Sequence, residues 1–201
     1  MSHYFIDDKE LKSETFEYQL EILGHKISLF TDNGVFSKQH LDFGSKLLIE
    51  EFKNPDIKGL LLDLGCGIGV IGIALAKSYK RDLMMLDVNP RAVSLANKNL
   101  EKNDVIGITK ENNILENIKE EFAVIVTNPP IRAGKKIVHE FFKQSYEHLV
   151  INGQLWVVIR KQQGAESAIK VIKELFKNCE IVKKKKGFHV LKATKWLETI
   201  D

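Results

Sequence analysis

Residues 60–75 read LLLDLGCGIGVIGIAL, an apolar run that breaks at Gly65-Cys66-Gly67-Ile68-Gly69 and then resumes. The segment LLLDL (60–64) is short enough for a buried strand, and the apolar spacing after the glycines predicts a helix from about Ile68 to Tyr79. Glycines at such a junction let the backbone turn tightly and let a ligand approach the main chain, while the helix N-terminus offers N–H groups without intrahelical partners. A nucleotide-like ligand is therefore expected there. The next apolar strand, DLMMLDV (82–88), ends at an acid, Asp87, about 20 residues beyond the loop, where a carboxylate can accept both hydroxyls of a ribose.

The same alternation continues outward. A helix RAVSLANKNLEKN opens after Pro90, followed by a strand near Val105 to Lys110, the strand FAVIVT, a helix from about Lys135 to Leu149 and the strand GQLWVVIR. Short apolar strands alternating with amphipathic helices predict an α/β fold with a mostly parallel sheet covered on both faces. The chain closes with a helix near Ala165 to Lys177 and two strands, CEIVKKK and FHVLKAT, whose short turn at Lys186-Gly187 makes them antiparallel. Upstream, Phe16, Tyr18, Leu20 and Ile22 share one face, Gly24-His25 turns the chain, and Ile27 and Leu29 resume the period of two, as in a hairpin. The segment HLDFGSKLLIEEF then carries helical spacing up to Asn54-Pro55.

Two frames compete for the glycine loop. Gly67-Ile68-Gly69-Val70-Ile71-Gly72 matches the G-x-G-x-x-G of dinucleotide folds, but that pattern starts at the strand end, which is Gly65, and then places Val70 where the third glycine belongs. Asp63-x-Gly65-x-Gly67-x-Gly69 resembles motif I of the class I S-adenosylmethionine-dependent methyltransferases. That resemblance implies that Asp63, Gly65, Gly67 and Gly69 hold the methionine portion of S-adenosyl-L-methionine, and that Asp87 holds the ribose. It also implies that Val88 packs on the adenine face and that Asn113 lies near the adenine. Gly34-Val35-Phe36-Ser37 resembles the segment that closes over the methionine end, which brings Phe36 into the cofactor set. Cys66 is read as a small residue that fits the loop.

The strand FAVIVT runs into Asn128-Pro129-Pro130-Ile131. In an open α/β sheet ligands bind beyond the carboxyl ends of the strands, so Asn128 is expected to face the same crevice as the glycines. The prolines fix φ and remove two donors, leaving carbonyl acceptors beside the asparagine amide. Such a site suits an exocyclic amine, whose two protons it can orient. The tetrapeptide resembles the N-P-P-[YFWI] motif of methyltransferases acting on amino nitrogens of adenine, guanine or glutamine, which assigns catalysis to Asn128, Pro129, Pro130 and Ile131, with Asn128 also at the cofactor. The longer string NPPIRAGKK, with NGVFSK, KQQGA and KKKKGFHVLKA, resembles the small single-domain, YbxB-type members of the RsmC family over nearly the whole chain.

This resemblance implies a Rossmann-like, seven-stranded mixed sheet in residues 37–201, preceded by a hairpin extension in residues 1–36. The implied reaction is methylation of guanine N2 in 16S ribosomal RNA, with ribosomal RNA or the small subunit as partner. Arg132 and Lys135, just after the motif, are placed to meet RNA phosphates. The lysine run 183–186 reads either as a solvated sheet edge or as an RNA backbone contact. Three rivals stay open: an RNA-binding or assembly factor without turnover, an enzyme acting on protein glutamine or adenine, and a nicotinamide-dependent oxidoreductase.

Composition sets the outer limits. The 201 residues, 44% of them hydrophobic, suffice for one well-cored domain. With 30 basic against 27 acidic residues, the net charge of +3 leaves nucleic-acid recognition to the placement of charge. Cys66 and Cys179 form no disulfide framework or zinc spacing, the six histidines are scattered, and no metal is expected. No apolar run approaches the roughly 20 residues of a membrane span, and a cytoplasmic location is expected.

Overall fold

A computed structural model describes residues 15–32 and 41–197. The chain begins with an antiparallel pair, β1 (Thr15–Ile22) and β2 (His25–Asp32), followed by α1 (Phe43–Glu51). Then come β3 (Leu60–Leu64), α2 (Val70–Tyr79), β4 (Leu83–Asp87), α3 (Pro90–Lys102), β5 (Gly107–Glu111) and β6 (Phe122–Thr127). After a 3-10 turn (Ile131–Ala133) follow α4 (Lys135–His148), β7 (Leu149–Arg160), α5 (Ala165–Phe176), β8 (Glu180–Lys185) and β9 (Phe188–Thr194).

The main sheet has seven strands in the order β5-β4-β3-β6-β7-β9-β8, and only β9 runs antiparallel to its neighbours. Its inner strands β3, β4 and β6 are apolar because both faces are covered, whereas the edge strands β5 (GITKE) and β8 (EIVKKK) are polar and largely exposed. Leu61, Met85, Val124, Val126, Trp156 and Val158 point into a core shared with α1, α2, α3 and the hairpin. Leu62, Leu64, Met84, Ile125, Leu155 and Val157 point into a second core shared with α4 and α5. Strand order reverses between β3 and β6, so the crevice beyond their carboxyl ends is the switch point at which an open sheet accepts ligands. The hydroxyl of buried Thr127 donates to the Leu64 carbonyl at 2.7 Å and ties the two strand ends together.

Several boundaries differ from expectation, among them those of α2, β5 (Gly107–Glu111 rather than Val105 to Lys110) and β7. Helix α2 begins at Val70 rather than Ile68, because Gly69 caps it in the left-handed conformation (φ 86°). Strand β7 starts at Leu149 rather than Gly153, with an irregularity that shifts its register on β6 from Phe122–Leu149 to Val124–Gln154.

The hairpin is anchored by two buried asparagines one turn apart, Asn99 in α3 and Asn103 at its C-cap. Asn103 pairs with Ser28, accepting its N–H at 3.0 Å and donating to its carbonyl at 2.7 Å. Asn99 pairs likewise with Phe30, at 2.7 and 3.0 Å, and also donates to the Ile68 carbonyl at 2.9 Å. These amides act as a surrogate strand along the free edge of β2. Asn99→Ala strands the Phe30 N–H and two carbonyls at a buried position, and is expected to cost about 2 kcal/mol in urea unfolding.

Candidate active site

The glycine loop owes its shape to three left-handed residues, Gly65 (φ 71°), Gly67 (φ 54°) and Gly69 (φ 86°), a conformation that residues with a Cβ avoid. Its start is strapped to the next strand, since the Leu86 carbonyl accepts from the N–H groups of Gly65 (2.8 Å) and Cys66 (3.0 Å). Asp87 completes the strap: one carboxylate oxygen accepts from the Gly67 N–H at 2.8 Å and the other from the Asn89 N–H at 2.9 Å. Burial raises the Asp87 pKa, and the N–H groups of Asn89 and Gly67 oppose that rise. Each oxygen keeps a lone pair for a further donor.

Asp63 stands behind this loop and does not line the cavity. It is 1% exposed, and one carboxylate oxygen accepts from the Gly72 N–H in the first turn of α2 at 2.8 Å. A Cβ at Gly72 would come within 2.9 Å of the Asp63 Cβ, so the close approach requires glycine. Burial above all lifts the Asp63 carboxyl to about 7, against the pull of the Gly72 N–H, and the Asp87 charge adds to the rise. The Cys66 thiol is pushed well up by burial and by both aspartates, which makes it inert as a nucleophile.

Beyond the strand ends opens a cavity of about 620 Å³, a size that suits a small-molecule ligand. Gly65, Gly67, Asp87, Val88, Asn113, Asn128, Pro129, Pro130, Ile131 and Arg132 all line it. Gly69 and Asp63 lie outside its lining, and Lys135 lines a smaller adjoining cleft with Ile131 and His139. Phe36 lies outside the described residues. At the β4 end, Val88, 43% exposed, and Ile114 offer apolar surface next to the Asp87 carboxylate, while the Asn112 N–H is taken by the Asp87 carbonyl at 2.9 Å. The Asn113 side chain donates to Glu116 at 2.6 Å. Apolar walls, a carboxylate and an open glycine loop together match the needs of an adenosine: a flat base, a diol and a neighbouring chain.

At the β6 end, Asn128 is held from α1. Its amide nitrogen donates to the Ser45 hydroxyl at 3.1 Å and lies 3.4 Å from an Asp42 carboxylate oxygen. A carboxylate only accepts, so the NH₂ must face Asp42 and the amide oxygen must face away. Asp42 is itself fixed as the N-cap of α1, accepting from the Ser45 N–H at 3.0 Å. The Pro130 carbonyl is consumed by the Ala133 N–H at 3.0 Å, whereas no described residue donates to the Pro129 carbonyl. Among the described residues, the Asn128 amide oxygen and the Pro129 carbonyl thus keep their acceptor capacity in residues that line the cavity.

Asp42, Ser45 and Tyr18 were not singled out by the sequence as site residues. A D-x-x-S pair ahead of an apolar helical run was the available signal for the first two. Tyr18 showed only strand alternation, yet it lines the cavity, and its hydroxyl is buried without a partner among the described residues and pushed up to about 12 by burial and then by Asp42. Of the lysine run, Lys186 comes next to the cavity wall, its ammonium 5.1 Å from the ring centre of the lining residue Phe43, while Lys183 pairs with Glu51 at 3.3 Å.

Residues 26–192 match the family model of the methyltransferase small domain. The chain is 45% identical to the uncharacterized protein YbxB of Bacillus subtilis, over 96% of this chain and 98% of that one. It is 32% identical to ribosomal RNA small subunit methyltransferase C of Aliivibrio fischeri, over 89% of this chain and 53% of the relative. Among solved structures, the Thermus thermophilus 16S rRNA N2 G1207 methyltransferase, RsmC, in complex with AdoMet and guanosine superposes with a TM-score of 0.80 at 22% identity, over 90% of this chain and 50% of that one. This chain therefore spans about half the length of these RsmC proteins. The superposition shows a class I methyltransferase fold, which in this chain carries a seven-stranded mixed sheet and a two-stranded hairpin.

Proposed function

The chain belongs to the methyltransferase small-domain family as an RsmC-like member, and from that premise we propose that it methylates the exocyclic N2 of a guanine in 16S ribosomal RNA, in the cytoplasm. It is an S-adenosylmethionine-dependent methyltransferase. When bound, the cofactor supplies a methyl group activated on a sulfonium. Asp87 would hold its ribose, Val88 and Ile114 would flank its adenine with Asn113 nearby, and Gly65 and Gly67 would carry the chain toward the methionine end. Asp63 and Gly69 act through the loop, by fixing Gly72 and the start of α2.

The observation that carries the reading is the orientation of Asn128. An exocyclic amine on a base is a poor nucleophile because its lone pair is delocalised into the ring. Asn128 Oδ1 and the Pro129 carbonyl can each accept one N–H, which orients the amine and favours a pyramidal nitrogen. No strong base is needed, because the proton can leave to water after the new C–N bond forms. Pro130 and Ile131 shape the turn that presents these acceptors, and Arg132 and Lys135, exposed just beyond, are suited to RNA phosphates.

Small ribosomal subunits from cells lacking the protein, incubated with labelled S-adenosylmethionine, are expected to accept label recovered as N2-methylguanosine. Label recovered in a methylated adenine or in protein glutamine would replace this substrate with another amino group. No label despite cofactor binding would favour an RNA-handling role without turnover.

A further inference from the structure

The substrate half of the cavity is framed by cations laid on aromatic rings. The Arg160 guanidinium lies 4.7 Å from the ring centre of Phe188, and Lys186 covers Phe43 at 5.1 Å. The two rings contact each other at 5.5 Å. Phe188 is itself seated against α1, because a Cβ at Gly44 would come within 2.8 Å of its ring. Arg160, Phe188 and Phe43 all line the cavity that Asn128 and Pro129 line.

The sheet explains why these groups converge. Val126 and Val158 point into the α1-side core, so Asn128 and Arg160, each two residues further along its own strand, project to that same face. Thr127 is level with Val157 on β7, which puts Arg160 two residues beyond the level of Asn128 on the neighbouring strand. Strand spacing and rise then separate the two Cα atoms by on the order of 8 Å, within one purine's reach of two side chains.

Among the described residues Arg160 has neither a carboxylate partner nor a hydrogen-bond acceptor, and its guanidinium carbon lies over the Phe188 ring, a contact through the ring face that leaves its N–H groups available to donate. We propose that Arg160 determines specificity for guanine by donating to O6 and N7, at the other end of the base from the amine held by Asn128 and Pro129. A guanidinium fork matches that pair of acceptors, and adenine offers an amine where guanine offers O6. Lys186 over Phe43 extends the same cationic rim toward the RNA backbone.

The inference rests on the guanine reading above, and its test is separable from that of the reading. The probes are guanosine and 2-aminopurine riboside, which keeps the 2-amino group and N7 but lacks O6; their affinities are measured by calorimetry with S-adenosylhomocysteine present. The wild-type protein is expected to prefer guanosine by about tenfold. Arg160→Gln is expected to erase that preference, and Arg160→Lys, which keeps the charge but not the fork, to lose most of it. A preference that survives Arg160→Gln overturns the proposal, including the case in which only the salt dependence of subunit binding falls, which would make Arg160 a phosphate contact. A wild-type protein without any preference also overturns it. If label from S-adenosylmethionine is still recovered from subunits as N2-methylguanosine in either case, the guanine-N2 reading stands and only the role of Arg160 falls.

Discussion

Asn128→Ala is expected to lower methyl transfer to small ribosomal subunits at least ~100-fold while leaving the affinity for S-adenosylmethionine within a few fold of wild type. The size follows from the role. The amide oxygen is one of two acceptors for the amine protons, it is fixed before substrate arrives, and removing a preorganised group of this kind typically costs two to three orders of magnitude in rate, or ~3–4 kcal/mol. The separation of rate from cofactor affinity follows from geometry, because Asp87 and the glycine loop belong to other strand ends than Asn128.

Two measurements check this result. Single-turnover transfer with labelled cofactor reads the chemical step, and calorimetry with S-adenosylhomocysteine reads the cofactor site. A variant that transfers at the wild-type rate would remove Asn128 from catalysis. A variant that loses cofactor affinity in parallel with rate would make Asn128 a cofactor ligand first.

The parts of this site legible in the sequence are those in which chemistry and local structure coincide. Gly65, Gly67 and Gly69 are glycines because the loop demands three left-handed residues, and a strand-loop-helix pattern around them announces a binding junction. Asp87 and Asn128 could be placed because each ends an apolar strand of an α/β sheet, where ligands bind. The hairpin could be placed because its alternation has a period of two. What stayed hidden depends on contacts between distant segments: Asp42 and Asn128 are 86 residues apart, and nothing near either one announces the other. Asn99 and Asn103 look like the polar face of α3, yet they are buried against the edge of β2. Arg160 reads as the charged end of a strand until the final hairpin brings Phe188 beneath it. Asp63 shows the reverse case, a residue marked by its motif whose carboxylate serves the loop from behind.

That buried carboxylate carries the second large effect. Its pKa rises from the ordinary 3.8 to about 7 in the folded protein, chiefly because burial penalises the charge, with the Gly72 N–H only partly offsetting this. The folded state therefore keeps a proton on Asp63 between about pH 4 and 7 that the unfolded chain has released. Stability rises with pH where the unfolded state binds more protons, and here it binds fewer, so this group's contribution is complete below about pH 4, declines as pH rises, and is gone above about pH 7. Between pH 5 and pH 8 the loss is roughly 3 kcal/mol, from two units of displaced titration at 1.36 kcal/mol each. Asp63→Asn isolates the term, because an amide has nearly the same shape, its oxygen can still accept from Gly72, and it does not titrate. Urea unfolding at the two pH values is expected to show wild type losing roughly 3 kcal/mol more than Asp63→Asn on going from pH 5 to pH 8. Parallel pH dependence in the two proteins would mean that Asp63 is ionised in the folded state and that the polar loop around it, rather than a retained proton, compensates its burial.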